Sequence, residues 1–586
     1  MLRERKYPIG AELAKNGGVD FRVWAPRSTT AAIELIVEGE AEPRRVTLAA
    51  ETEAPGYFSG VVAEARPGMR YRIAVDSGAF PDPASRFQPE GPHGPSQIVA
   101  SDFKWTDSGW RGRPVKELVM YELHLGTFTR EGTWRAAMAE LPELARLGIT
   151  MLEVMPVADF PGAFGWGYDG VNFFAPCRLY GSPDDARAFV NRAHELGIAV
   201  IHDVVYNHCG PDGNYLREFS LDYFSKRYGN EWGEALNFDG ENAHGIREMF
   251  VTNARYWIEE FHFDGLRFDA TQQMFDDSKS HILADISTAV RAATPHRILH
   301  LVAENETQHA KLVRRHDRGG YGLDMFWNDD FHHAARVSAT HRSEAYFSGY
   351  RGSAQEFISS AKYGFLYHGQ WYRWTTTRRG LPAFDLKPTN FISFLENHDQ
   401  VANLPRGLRL HQLTSPSKYR TLTALWLLSP QIPMFFQGQE FAASAPFVYF
   451  ADHGPGLAPL ISEGRKRFLQ QFPSADEATI KDVFLDPSAR STFDRCKLDL
   501  TERERNIAAC KLHEDLLRLR REDRTLAGDF KVDGAVLGEG AFVLRYFAPD
   551  GDDRLLIVNL GRDIHLEPAP EPLLAPVEGK GWRHVW

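Results

Sequence analysis

The sequence predicts an α/β protein: a closed (β/α)8 TIM barrel with an N-terminal β-sandwich and a small C-terminal β-domain. Three observations predict it. After Lys116, eight apolar strand-like runs alternate with amphipathic helical stretches, the pattern of a parallel sheet with crossover helices, and eight such units suit a closed barrel. Acidic residues recur at the C-terminal ends of several of these runs, where barrel active sites sit. Residues 1 to 98 read instead as short strands of alternating polarity between turns, as in an immunoglobulin-like sandwich. A doubly wound open sheet is the alternative reading of the alternation, and the recurring strand-end acids disfavour it.

In chain order, the sandwich strands include Val19-Asp20-Phe21-Arg22-Val23-Trp24, a run from Ala32 to Val37, another from Tyr57 to Val62 and another from Tyr71 to Val75. A Pro- and Gly-rich tract from Pro81 to Pro95 marks the boundary. The barrel is expected over 99–485, with strands over 118–125, 150–156, 199–206, 265–270, 298–304, 323–327, 391–395 and 432–436. Helices are expected over 133–147, 184–196, 248–261 and 281–293. Two irregular insertions, 208–240 and 336–390, follow the third and sixth strands, and long loops on that face shape a cleft. A helical connection over 486–527 carries Leu512, Leu516, Leu517 and Leu519 as a core-facing stripe. Residues 528–586 return to strands and end abruptly at Gly581-Trp582-Arg583-His584-Val585-Trp586, so this last domain is expected to be incomplete.

Bulk properties narrow the function. At 586 residues the chain is long enough for several domains. A net charge of −11 disfavours nucleic acid or an anionic membrane as partner. Aromatic content of 12% fits stacking on sugar faces as well as a large core. Cys177, Cys209, Cys496 and Cys510 show no CxxC or metal-ligand spacing, which predicts reduced thiols, a cytoplasmic location and no metal. The charged start Met1-Leu2-Arg3-Glu4-Arg5-Lys6 lacks the apolar region of a signal peptide, and no apolar run is long enough to span a membrane.

The chemistry concentrates at four strand ends. The central one is Asp264-Gly265-Leu266-Arg267-Phe268-Asp269-Ala270. Residues two apart on a strand point the same way, so Arg267 can hold the Asp269 carboxylate ionised. On this strand alone a buried ion pair that only orders the core explains the residues equally well. Three further strand ends change the balance: Asp203-Val204-Val205-Tyr206-Asn207-His208, Ala303-Glu304-Asn305-Glu306 and Glu396-Asn397-His398-Asp399-Gln400. Several carboxylates and two histidines converging on one mouth suit glycosidic bond cleavage, which needs one protonated acid and one ionised carboxylate. The apolar run before Glu304 would raise its pKa and suit it as the acid. His208 and His398 suit sugar hydroxyls, and Asp203 reads as a support for its neighbours.

In this order, the four stretches resemble the four signature regions of the α-amylase family of glycoside hydrolases. The resemblance implies a retaining double displacement with Asp269 as nucleophile, Glu304 as acid/base and Asp399 as the group that stabilises the transition state. It implies that Arg267, His208 and His398 line the subsite of the cleaved sugar, with Tyr168 of Gly165-Trp166-Gly167-Tyr168-Asp169 as its stacking platform. Gln272 and Gln400 complete the expected binding residues. Finer motifs are similar to the trehalose-releasing branch of that family: Tyr121-Glu122-Leu123-His124-Leu125-Gly126-Thr127-Phe128-Thr129, Trp327-Asn328-Asp329-Asp330-Phe331-His332-His333 and Gln437-Gly438-Gln439-Glu440-Phe441. They imply hydrolysis of the α-1,4 bond next to the terminal trehalose of a malto-oligosaccharide, with Asp330, His332 and His333 helping to bind it. No cofactor is implied. Asn207 matches a calcium-binding position of many α-amylases, but the trehalose-releasing branch argues against that metal. After Gln400 the chain reads Val401-Ala402-Asn403-Leu404 where the family usually continues Gly-Asn-Arg, a departure that bears on bond choice. A glucan branching enzyme or a general α-1,4-glucan hydrolase is the alternative activity; a non-catalytic glucan-binding protein would lack one of the three acids. Trp24, Phe58 and Tyr71 read as core aromatics and not as a second glucan site. A monomer or homodimer is expected.

Overall fold

The computed structural model describes residues 5–474 and 483–586; the first four residues of the charged N-terminal stretch lie outside them. Eight parallel strands close into a barrel. In chain order they are Met120–Leu123, Met151–Val154, Ala199–Val204, Gly265–Phe268, His300–Ala303, Met325–Asn328, Phe391–Ser393 and Ile432–Phe436. Each predicted run contains or overlaps its strand. Most strands are shorter than the run, because the flanking residues already bend into the loops that carry the site. Closure pairs the eighth strand with the first, Phe435 opposite Tyr121. At the start of the fourth strand Gly265 adopts φ +156°, and a Cβ there would lie 1.8 Å from the His300 carbonyl oxygen, so the close approach of the fourth and fifth strands requires glycine.

The expected helices form on the outside. The helix Trp134–Leu147 starts where the Thr133 side chain accepts from the Ala136 amide, and it stops at left-handed Gly148. The helix Pro183–Glu195 opens with a capping box from Ser182 and Asp185. Residues 336–390 are less irregular than expected: they hold the end of the helix Asp329–Thr340, the helix Ala354–Tyr363 and a hairpin of Gln370–Tyr372 with Thr377–Arg379. Residues 208–240 hold the hairpin Phe224–Asn230 with Gly233–Leu236.

The N-terminal strands form a two-layered antiparallel sheet in which Arg44–Ala50 pairs with a strand of each layer. Trp24, Phe58 and Tyr71 are buried in it, as a core reading requires. The sandwich docks on the helix His244–Glu260. The Trp24 ring stands edge-on to Tyr223 at 4.9 Å and His244 at 5.5 Å, and Arg86 lies over the Tyr256 ring at 4.2 Å. The C-terminal sheet, Lys531–Gly538, Ala541–Phe547 and Arg554–Asn559, docks on the helix Ala354–Tyr363, where Phe542 stacks on Phe357 at 5.8 Å. Leu516 and Leu517 of the helix Ile507–Glu522 are buried, so the leucine stripe faces the core. Arg520 of the same helix donates to the carbonyls of Leu427, Ser429 and Gln431 at 2.6–2.7 Å, which satisfies buried carbonyls at and just past the C-terminal end of the helix Pro416–Leu428.

The docking of the sandwich yields a test. Alanine is the better helix former, by about 1 kcal/mol over glycine. At Gly245, though, a Cβ would lie 2.3 Å from the Trp24 ring, and overpacking of this kind costs about 1–3 kcal/mol. Gly245→Ala is therefore expected to lower the thermal unfolding midpoint; a raised midpoint would show that Trp24 does not seat there.

Candidate active site

The site is built around one buried guanidinium. Arg267 lies on the fourth strand, fully buried. Its Nη1 donates to Asp203 Oδ1 at 2.9 Å and Oδ2 at 2.8 Å, and to Asp269 Oδ1 at 2.9 Å. Its Nη2 donates to Glu304 Oε2 at 2.7 Å. The guanidinium also lies over the Trp327 ring at 4.1 Å, so an aromatic face covers a charge that water does not reach. Asp203 belongs to the third strand, and Asp269 and Glu304 each follow the last residue of the fourth and fifth strands. Three strands thus deliver three carboxylates to one cation.

The second oxygen of Asp269 is held from the other side. Asn207 Nδ2 donates to Asp269 Oδ2 at 2.7 Å and to its carbonyl at 2.9 Å. The residue after Asp269, Ala270, takes a left-handed conformation with φ +39°, uncommon for a residue with a side chain. That turn aims the Ala270 amide at Glu304 Oε2, 2.9 Å away.

Three acids around one arginine cannot all stay ionised in a site removed from water. Burial, with the charges of Asp269 and Asp399 adding to it and Arg267 opposing, raises Glu304 to about 8. Burial raises Asp203 to about 6, with Arg267 again opposing. At neutral pH the proton resides on Glu304. The expected support role of Asp203 fits its partners, since it also accepts from the Tyr168 hydroxyl at 2.7 Å.

Asp399 sits in the helix His398–Ala402 after the seventh strand, and its side chain is 34% exposed, open to the cleft. His398 Nε2 lies 3.6 Å from Asp399 Oδ1. Tyr168 stacks on His398 at 5.1 Å and Trp166 meets it edge-on at 5.2 Å. The other side of His398 meets Glu122 of the first strand: its Nδ1 lies 2.5 Å from Oε1, and its amide donates to Oε2 at 3.0 Å. Burial lowers the His398 pKa, but Asp399 and Glu122 outweigh it and bring the ring to about 9.

The structure brings together Tyr168, Arg267, Asp269, Glu304, His398 and Asp399. His208 is beside them, with its ring nitrogens engaged by Asn207 Oδ1 and by the Tyr168 carbonyl at 2.9 Å. Its ring stacks at 4.3 Å on Trp232 of the first insertion. Gln400 Nε2 donates to Asp329 Oδ1 at 3.2 Å, and Gln272 Oε1 accepts from the Glu306 amide at 3.4 Å. Asp330, His332 and His333, expected to help bind substrate, are buried on the helix Asp329–Thr340. Asp330 is fully buried and accepts from the Tyr350 hydroxyl at 2.5 Å and the Leu366 amide at 2.6 Å. His332 Nδ1 donates to the Leu395 carbonyl, 2.8 Å away, and burial pushes the ring's pKa down to about 3. His333 is enclosed by Tyr346, Phe347 and Tyr350. The helix carrying these residues lies under the second insertion, whose path the sequence did not show.

Sequence reasoning did not assign Glu122, Trp327 or the Ala270 amide, and it weighed Asn207 only as a metal ligand. The signal for Glu122 was a carboxylate inside an apolar strand run, where charge needs a partner. Among the described residues no group of three or more His, Cys, Asp or Glu side chains is arranged to hold a metal ion.

The chain matches the family model described as alpha amylase, catalytic domain, over residues 97–231, and a domain of unknown function, DUF3459, over 530–586. It is 39% identical to a malto-oligosyltrehalose trehalohydrolase of Deinococcus radiodurans, over 95% of this chain and 90% of that one. It is 38% identical to one of Saccharolobus solfataricus, over 86% and 85%. A crystal structure from Salmonella typhimurium, provisionally assigned as an alpha amylase, superposes with a TM-score of 0.86 at 35% identity, over 95% of this chain and 94% of that one. A 1,4-alpha-glucan branching enzyme of Corynebacterium jeikeium is more distant, 27% identical over 64% of this chain and 58% of its own length. With near-complete coverage of both chains at that identity, the chain belongs to the malto-oligosyltrehalose trehalohydrolases of the α-amylase family.

Proposed function

We propose that this chain hydrolyses the α-1,4-glucosidic bond next to the terminal trehalose unit of maltooligosyltrehalose and releases trehalose and a shorter malto-oligosaccharide. The observation that carries the mechanism is the fork of Arg267, which holds Asp269 on one nitrogen and Glu304 on the other. Two adjacent carboxyls with separated protonation states are what a retaining glycosidase needs. In the first step a carboxylate oxygen of Asp269 attacks the anomeric carbon. Glu304 gives its proton to the glycosidic oxygen, the bond to the trehalose unit breaks, and a glycosyl ester forms on Asp269. In the second step Glu304, now ionised, takes a proton from water, the water oxygen attacks the same carbon and Asp269 leaves. Asp399 and His398 sit where they can grip hydroxyls of the sugar as positive charge develops at its ring, and Tyr168 offers the adjoining aromatic face. Four cysteines present as free thiols support a reducing, cytoplasmic setting.

Substrate choice is tested by incubating the protein with maltooligosyltrehalose and, separately, with malto-oligosaccharide of equal length. Rapid trehalose release from the first and slow attack on the second are expected. Equal cleavage of both would make it a general α-1,4-glucan hydrolase, and longer or branched products a transferase.

Asp269→Asn is expected to abolish turnover while substrate still binds by calorimetry; normal turnover would remove Asp269 from the nucleophile role. The pH dependence has a definite sign. Glu304 acts as an acid only while protonated, so kcat/KM should fall as pH rises through about 8. In Glu304→Gln the rate should drop about 100- to 10,000-fold and that alkaline limb should vanish. An unchanged limb in this variant would assign the proton elsewhere.

A further inference from the structure

The Glu122–His398 contact joins the first strand to the helix that bears Asp399, across 276 residues of sequence. Both oxygens of Glu122 are occupied by one residue: Oε1 by the His398 ring at 2.5 Å and Oε2 by the His398 amide at 3.0 Å. A carboxylate bound at both oxygens fixes the ring's rotation and demands a proton on Nδ1. Aromatic faces close the remaining sides, Tyr168 stacked on the ring and Trp166 and Trp327 against its edge and flank. The Nε2 atom is then left pointing toward Asp399 Oδ1 at 3.6 Å. Two acceptors on opposite sides of one imidazole call for two ring protons, and hence for the cation.

The charges that face this ring come from several elements. Glu122 lies on the first strand, Arg267 on the fourth, Asp399 on the same helix, the Tyr168 hydroxyl in the loop after the second strand, and His124 just beyond the first strand. Glu153 of the second strand is in register with Glu122. Both of its oxygens are buried without a hydrogen-bond partner. Burial first, and the Glu122 charge second, push Glu153 well above the usual carboxylate range. Glu153 is thereby biased toward its neutral form.

We propose that Glu122 is a positioning residue of the reaction: it keeps His398 a charged donor whose Nε2–H is aimed at Asp399 and at the sugar hydroxyls gripped beside it. The inference rests on the reading in which Asp269, Glu304 and Asp399 perform the chemistry. Without the Glu122 charge the ring holds its second proton less tightly, since burial and Arg267 oppose the cation and only Asp399 is left to favour it. A neutral imidazole that still donates from Nδ1 turns a bare Nε2 toward Asp399, lone pair against lone pair.

Glu122→Gln tests this, since the amide keeps the shape and removes the charge. Near neutral pH its kcat should fall about 10- to 100-fold, the size of effect expected when the carboxylate behind a working histidine is lost, with a smaller change in KM. The activity should recover as pH is lowered, where the unsupported ring regains its proton. A purely structural loss would not follow pH in this way. The double variant with His398→Asn should be no slower than His398→Asn alone, because Glu122 acts through the ring. Glu122→Asp, which restores a carboxylate, should regain the wild-type shape of the pH profile. Nitrogen-15 NMR of histidine-labelled wild-type protein reads the ring directly and needs no variant to fold: His398 should carry both protons near pH 7.5, since it titrates at about 9. A singly protonated ring there, a pH-independent loss in Glu122→Gln, or full additivity with His398→Asn would each overturn the proposal. An inactive Asp269→Asn at every pH, alongside a Glu122→Gln enzyme that recovers in acid, separates this inference from the catalytic reading it rests on; an active Asp269→Asn would sink that reading and leave the His398 titration to be judged by itself.

Discussion

Everything at the mouth of this barrel depends on one cation that water does not reach. Arg267 is fully buried and shared by Asp203, Asp269 and Glu304. A buried guanidinium without partners would be strongly unfavourable, and breaking such a set by removing one side costs about 3–5 kcal/mol. The three acids therefore hold the arginine in place as much as it holds them. They also outnumber it. The shortage of positive charge keeps a proton in the cluster, and the carboxyl most displaced from its ordinary pKa is Glu304. That Glu304 is the group that keeps the proton follows from burial and from counting charges in a dry site.

A second, smaller charge system stands across the cleft. Glu122, His398 and Asp399 line up through hydrogen bonds and close approach, while burial biases the neighbouring Glu153 toward its neutral form. The Tyr168 side chain touches both systems: its hydroxyl donates to Asp203 and its ring stacks on His398. Arg267 thus gathers Asp269 and Glu304, and Asp399 stands beside His398. The rest of the chain keeps this geometry rigid. The sandwich is seated on the helix His244–Glu260 through Trp24 and Arg86, and the C-terminal sheet rests on Ala354–Tyr363 through Phe542.

The barrel and its acids were legible in the sequence because both are local. Apolar runs of strand length alternating with helical stripes specify the repeat, and an i, i+2 spacing places Arg267 and Asp269 on one face. What periodicity reports is the direction of a side chain on its own strand. It does not report which distant strand lies opposite. The surroundings of Asp330 show that limit: Tyr350 and the Leu366 amide of the second insertion hold its carboxyl group, partners that no spacing announces. A long loop has no repeat from which its path can be read.

The sequence alone determined the strand order, the acids at the strand ends and the pairing of Arg267 with Asp269, since each is fixed by spacing along one chain segment. Only the tertiary structure decided that Asn207 grips the second oxygen of Asp269, that Trp327 covers Arg267 and that Glu122 holds His398. Closure of the barrel makes neighbours of its first and last strands and draws all eight mouths onto one axis. Burial at that axis, a property of the closed assembly and of no single segment, sets which carboxyl keeps its proton.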